Sequence, residues 1–426
     1  MRKWGRIVVP GLTLLTLALS PARPARAAGF SIETQGAKAM GMAGAFAAQA
    51  DDTSAIYYNP GAVAFLKKKM AIGFSPAAAN DGHYQGQPPG LGAGTTGNQN
   101  RLFTLPAQAY LIKPLAPTVK LGIGVYSPFG FRTGWQDPAN FPGRTVSTAA
   151  ELKTYDANAT LAIQVTPTFG LGAGVVYRNA VLQQRKGLQA LDPLSGSLVD
   201  VASLSVKTDY DRGAGWTAGF LHQLGPLSWG LSYRSPITLQ FGGAGRLTQV
   251  PTGNAQLDAL TRASLPLDQD LAVSSEIAFP GEATLGIALA ATETFVIEAD
   301  VNRTGWKKFT GLALNFPNNP TLSASLQGPW KDTNSYRLGV RLGPARGPQW
   351  RFGYALEQTP QPDESVNPFL PDGARSIVGI GFGIDWLDLA FQWEKPADRS
   401  TFVSRDQLNG TYRGSIYRFG ITISPM

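Results

Sequence analysis

The sequence predicts an all-β protein, a 14-stranded antiparallel transmembrane β-barrel with an N-terminal hatch (plug) of short helices in its lumen. Three observations predict it. From Lys67 onward the dominant pattern has period 2, which sends alternate side chains to opposite faces of a strand. One face carries large apolar and aromatic residues, and the other carries glycine, small polar groups and charges. The stretch from Ala28 to Lys67 is rich in Gly and Ala, lacks that alternation and ends in the turn signal Asn59-Pro60-Gly61.

The alternation is clearest near the C-terminus. Tyr336, Leu338, Val340 and Leu342 share a face opposite Arg337, Gly339, Arg341 and Gly343, and Trp350, Phe352, Tyr354 and Leu356 oppose Arg351, Gly353, Ala355 and Glu357. Val378 to Trp386, Leu387 to Trp393 and Tyr417 to Ile423 repeat the pattern. A soluble β-sandwich would bury such a charged face in a dry core. A barrel with a lipid-facing apolar surface and a polar lumen satisfies both faces, and its closure leaves no unpaired edge in lipid. Fifteen strand centres can be marked, near residues 71, 107, 123, 161, 173, 218, 231, 275, 285, 299, 340, 352, 380, 391 and 421. The two flanking Pro280-Gly281 read as one interrupted strand, because bacterial barrels have an even number. Leu224-Gly225-Pro226 and residues 343–348 read as short turns, and 76–100, 130–155, 182–212 and 244–270 as long loops.

Residues 1–27 read as an export signal peptide. Arg2, Lys3 and Arg6 precede the apolar run Ile7–Leu19, and Ala25-Arg26-Ala27 is an A-x-A cleavage site. The apolar run is too short to span a membrane as a helix. The division expected is therefore signal peptide 1–27, hatch 28–66 and barrel 67–426. The net charge is +8, and residues 1–27 hold five of the cations with no acid, which leaves +3 on the rest. No nucleic-acid partner is inferred from that balance. With no cysteine and two histidines, His83 and His222, neither a disulfide framework, a metal site nor histidine acid–base chemistry is expected. Within the head, Asp52 or Thr53 is expected to cap a helix over Ala55–Tyr58, and Pro60 to open the first turn of another.

The head carries Ala28-Gly29-Phe30, Gly41 with Gly44-Ala45, Ala50-Asp51-Asp52-Thr53-Ser54 and Asn59-Pro60-Gly61 in that order. In these elements it resembles the hatch of the FadL family of outer-membrane transporters of long-chain fatty acids and other hydrophobic compounds (OMPP1/FadL/TodX-like). In the body, Gly124-Val125-Tyr126-Ser127-Pro128-Phe129-Gly130, Tyr233-Arg234-Ser235-Pro236, Asp300 with Trp306-Lys307-Lys308-Phe309, and Leu370-Pro371-Asp372-Gly373-Ala374-Arg375 follow in family order. The chain departs from the family in ending Ile423-Ser424-Pro425-Met426 rather than on an aromatic residue.

The resemblance implies a ligand route. An outer groove would lie between loops 130–155 and 182–212, with Phe129, Phe131, Trp135 and Phe141 facing Leu182, Leu188, Leu191 and Leu194. A pocket would lie against the hatch near Phe30. Arg178, Arg185 and Lys331 are the candidate cations for a carboxylate, although salt bridges to Glu298, Asp300, Glu357 and Asp388 compete for inward arginines. A lateral opening is implied at the third strand, where Gly122, Gly124, Ser127 and Pro128 weaken pairing. The implied function is passive uptake of long-chain fatty acids by hatch movement and lateral exit, with monoaromatic hydrocarbons as the alternative. A general diffusion porin and a barrel lipase are less favoured. The expected partners are the hydrophobic solute and outer-membrane lipid and lipopolysaccharide, around a monomer without a cofactor.

Overall fold

A computed structural model describes residues 29–67 and 69–425, so the expected signal peptide lies outside the described residues. Fourteen antiparallel strands close into a ring. In chain order they are β1 Met70–Phe74, β2 Ala107–Ala116, β3 Val119–Tyr126, β4 Ala149–Thr166, β5 Phe169–Leu191, β6 Asp211–Leu224, β7 Leu227–Arg234, β8 Glu282–Thr292, β9 Phe295–Thr304, β10 Thr333–Leu342, β11 Gln349–Glu357, β12 Arg375–Ile384, β13 Leu387–Pro396 and β14 Gly410–Ile423. Each pairs with the next, and β14 returns to β1 through Ile72↔Ile423 and Phe74↔Ile421. Beyond the last strand Ser424 N donates to Trp386 O at 2.8 Å.

The strand alternation is realised as expected. Trp350 and Phe352 are 50% and 41% exposed on the outer face, while Arg351 between them is 2% exposed in the lumen. Outward aromatics form two belts, as lipid interfaces favour. Trp229, Trp350 and Trp386 lie near the short turns, and Tyr155, Tyr177, Tyr233, Tyr336, Tyr354 and Trp393 lie toward the long connections.

Several expected loops are strand instead. The interrupted strand at Pro280-Gly281 is real, since Asp270–Phe279 continues β8 outward; Ile237–Gln249 continues β7 past Ser235-Pro236 in the same way. Residues 182–191 are the end of β5, and Leu198–Thr208 pairs with it and with Ile237–Gln249. The 76–100 region holds the strands Ala77–Gly86 and Thr96–Asn98, the 130–155 region holds Gly130–Gly134 and the start of β4, and helix Ala255–Ser264 lies within 244–270. Backbone groups at this height satisfy one another by extending the ladders beyond the lipid belt. The extension encloses an apolar core that includes Leu204, Val206, Leu239, Phe241, Val273 and Phe316.

Inside the ring lies the head. α1 (Ala37–Gly41), α2 (Ala55–Tyr58) and a 3-10 turn over Pro60–Phe65 are almost wholly buried. The caps differ from expectation. Ser54 precedes α2, and Asp52 Oδ1 accepts from Ser54 N at 2.8 Å rather than from the helix, while Asn59 Oδ1 caps the turn by accepting from Gly61 N at 3.0 Å.

Candidate functional site

The hatch is held by small residues and by carboxylates of the wall. A Cβ on Gly41 would lie 2.9 Å from Gly381 Cα, so α1 touches β12 backbone to backbone. A Cβ on Gly353 would collide with the Met42 carbonyl carbon, and one on Gly172 with the Pro60 oxygen. The inward glycines of the alternation are therefore the seat of the hatch, a role the bare pattern does not reveal. Gly44 has φ +82 and sits beside Arg337, a conformation that favours glycine. Asn59 Nδ2 donates to Ala47 O at 2.7 Å and to Phe220 O at 2.9 Å, tying two hatch segments to β6. Gly61 abuts Gly219 and Phe220 so closely that a side chain there would strike backbone.

Glu298 and Asp300 do not pair with arginines as expected. Asp300 Oδ2 accepts from Phe46 N at 2.9 Å and Ala47 N at 3.0 Å; Glu298 accepts from Ala48 N at 2.6 Å and Gln49 N at 3.2 Å. These amides cannot reach helical or strand partners in the lumen, so the carboxylates supply the acceptors. Glu357 and Asp388 do meet arginines, Arg337 at 3.3 Å and Arg351 at 2.7 Å.

The N-terminal segment closes a break in the wall. β2 and β3 pair only as far as Ala109↔Val125. Beyond that point Leu102–Thr104 pairs with Ala77–Gly86, and Gly130–Gly134 pairs with β4; the two strands share no ladder with each other. Ser31 bridges Phe129 there, with Ile32 N donating to Pro128 O at 2.7 Å and Gly130 N to Phe30 O at 2.9 Å. Arg375 Nη2 donates to Gly29 O at 3.0 Å, and Glu33 pairs with Arg337. Phe30 is ringed by Phe129, Phe131, Phe279, Trp306, Phe309 and Trp330, with centroids 4.8 to 6.1 Å away.

A cavity of about 490 Å³ adjoins this segment. Phe30, Phe129, Phe131 and Leu152 line it, as do Arg375 and Arg418, both paired with Glu394, and Arg399, paired with Asp363. Its lining also includes the outward-facing residues Phe103 (59% exposed), Leu105 (57%) and Tyr155 (44%), on the outer side of the break that Phe30–Ile32 closes. Asp372 lies in it; burial pushes that carboxyl above the usual range, against the opposing pull of Arg375.

Of the sequence-predicted residues, Phe30, Phe129, Phe131, Ser127 and, as a neighbour, Pro128 come together here. The others do not. Gly122 and Gly124 lie within β3, paired on both sides, where a Cβ would meet Ile56 of the hatch or Tyr110. Trp135 stacks on Phe141 at 4.2 Å and donates to Pro368 O at 3.0 Å within a separate loop cluster. Leu182 is buried while Leu191 and Leu194 are 60% and 77% exposed, so they do not form one side of a groove. Arg185 is exposed, because the preceding residue Gln184 takes the inward parity, and Lys331 is exposed outside the cavity lining. His83 bonds Asn98 at 2.8 Å and His222 packs on Phe169 at 5.4 Å, on different strands.

Arg178 does turn inward, but toward Asp156, in a two-armed pair at 2.8 and 2.7 Å. Its guanidinium lies 4.6 Å from the Phe129 ring and 4.8 Å from the Phe279 ring. The pair is buried, so removing one member costs about 3–5 kcal/mol through the charge left behind. Arg178→Ala is expected to lower the thermal unfolding temperature, read as heat-modifiable gel mobility, and to leave any preference for carboxylate substrates unchanged. Full stability with lost carboxylate preference would instead make Arg178 a ligand residue. The cavity cations Arg375, Arg399 and Arg418 escaped the sequence reading. Arg375 in Pro-Asp-Gly-Ala-Arg and the inward parity of Arg418 were the available signals.

A closed fourteen-stranded wall around an internal hatch, with a cavity at the break in the wall, defines an outer-membrane channel protein. Residues 18–412 match the model of the family described as outer membrane protein transport protein (OMPP1/FadL/TodX), and the chain belongs to that family. It is 24% identical over 293 residues to the long-chain fatty acid transport protein of Escherichia coli O6:H1 (strain CFT073), a match covering 64% of each chain. The chain thus spans less than two thirds of that relative's length. Its fold is similar to a Pseudomonas aeruginosa FadL homologue, with a TM-score of 0.79 at 22% identity over 93% of this chain and 100% of that one. It is also similar to the Pseudomonas putida toluene transporter TodX, with a TM-score of 0.67 at 16% identity, covering 93% and 98%.

Proposed function

We propose that this protein carries long-chain fatty acids passively across the outer membrane. One observation carries the choice of substrate. The cavity beside the N-terminal segment at the break in the wall is lined by Phe30, Phe129 and Phe131 and also by Arg375 and Arg418, which share Glu394, and Arg399, which pairs with Asp363. An apolar chain suits the rings, and a carboxylate head would join this set of charges. The solute adsorbs on the extracellular side and enters against the hatch. It displaces the Gly29–Thr34 segment and leaves through the break into the bilayer, where an apolar chain is more stable than in a watery pore. Movement of the segment only opens the route, and the solute's own concentration gradient drives net passage, so the proposed route uses no nucleotide. The protein acts as a monomer in contact with outer-membrane lipid and lipopolysaccharide.

Uptake of a monoaromatic hydrocarbon is the second reading, favoured by the ring of aromatic residues around Phe30 and by the likeness to a toluene transporter. In cells lacking their own transporter, expression of this chain is expected to raise uptake of labelled oleate at least tenfold and of labelled toluene much less. The reverse ranking would assign the channel to aromatic hydrocarbons.

A further inference from the structure

The outer mouth of the cavity carries charges that face the bilayer rather than the lumen. Arg132 Nη1 reaches across the break to donate to Phe103 O at 3.3 Å, and its Nε lies 3.7 Å from Glu151 Oε1. Lys153 Nζ lies 3.1 Å from the other oxygen of Glu151. Two cations, with side chains 44% and 45% exposed, therefore share one acid that is itself 17% exposed. Arg413, also in the cavity lining, stands 3.9 Å from Asp398. Phe103, Leu105 and Tyr155 lie exposed beside them, and Tyr155 belongs to the aromatic belt toward the long connections. Such a belt marks the headgroup level of a membrane. Long cationic side chains there place their charge in the headgroup layer while their stems lie on apolar surface.

We propose that this mouth binds an outer-leaflet lipid with an anionic phosphate headgroup. The phosphate sits on Arg132 and Lys153, and an acyl chain lies along Phe103, Leu105 and Tyr155. Lipid is the fitting occupant for two reasons. The site is reached from the bilayer without moving the N-terminal segment, and bulk lipid is always at hand. At the break Leu102–Thr104 and Gly130–Gly134 share no ladder, although Pro106 O accepts from Ser75 N at 2.9 Å and Pro128 O from Ile32 N at 2.7 Å, so the gap between them is open to apolar side chains and not to unpaired backbone. A bound lipid covers it from outside as Phe30–Ile32 does from inside.

The test uses the folded full-length barrel in detergent, titrated with short-chain phosphatidylglycerol or phosphatidylcholine. Retained lipid is counted by native mass spectrometry, with gel heat-modifiability as the check on folding. Phosphatidylglycerol is expected to be retained at least tenfold more strongly than phosphatidylcholine. The double variant Arg132→Gln/Lys153→Gln is expected to abolish that preference, while Arg303→Gln/Lys307→Gln, at exposed cations elsewhere, preserves it. Equal retention of both lipids, or a preference that survives the first double variant, overturns the proposal. So does a result in which laurate binding, but not phosphatidylglycerol binding, depends on Arg132 and Lys153, since the mouth would then be a substrate site.

Discussion

Replacing Glu298 and Asp300 together by alanine is expected to turn the plugged barrel into a leaky pore. The change leaves four hatch N–H groups, those of Phe46, Ala47, Ala48 and Gln49, without acceptors. Each buried donor left unpaired costs about 1–3 kcal/mol, so the sum exceeds what a short segment without its own sheet can absorb. The wall does not depend on these carboxylates, because its ladders run on backbone bonds through β8, β9 and β10. The variant should therefore remain a heat-modifiable barrel and pass arabinose in liposome swelling at porin-like rates. The amide variant Glu298→Gln/Asp300→Asn, whose oxygens still accept, should leak much less. A swelling rate no faster than that of the unaltered protein would show that the hatch is held by close packing at Gly353, Gly379 and Gly381 alone.

Phe30→Ala is expected to raise uptake through the opposite end of the same segment. The phenyl ring fills a ring of six aromatic neighbours, and truncating a buried Phe costs about 3–5 kcal/mol. That cost falls on the docked state of Gly29–Thr34 and not on the wall. If undocking limits transport, even 1.4 kcal/mol of it corresponds to about tenfold in rate. Initial uptake of labelled oleate should rise about tenfold or more, and deletion of Gly29–Thr34 should change uptake while the unfolding temperature of the barrel stays the same. Uptake unchanged in both variants would remove the segment from the route.

The two experiments touch features of unequal visibility in the sequence. The period-2 pattern was readable because a strand between lipid and a wet lumen must alternate, and residues such as Trp350, Arg351 and Phe352 have no other consistent placement. Asn59-Pro60-Gly61 was readable because its turn chemistry is local. Arg178 was readable as inward, but its partner Asp156 lies on the neighbouring strand and depends on register. Arg185 failed because parity in a strand as long as β5 is lost by a single residue's slip.

By itself, then, the sequence determined the alternation and the small-residue head, since these follow from periodicity, turn residues and the cost of burying charge; the merging of the two segments at Pro280-Gly281 came from the general rule that bacterial barrels have an even strand number. Tertiary structure decided which partner each inward residue meets. Glu298 and Asp300 look like ordinary lumen acids until the hatch amides arrive above them. Wall glycines such as Gly353 look like gaps in a strand until the backbone of Met42 fills the space. Phe30, near the chain terminus, becomes the seal of a break more than ninety residues away in sequence, at Phe129, because Ser31 finds there the pairing that Leu102–Thr104 does not supply.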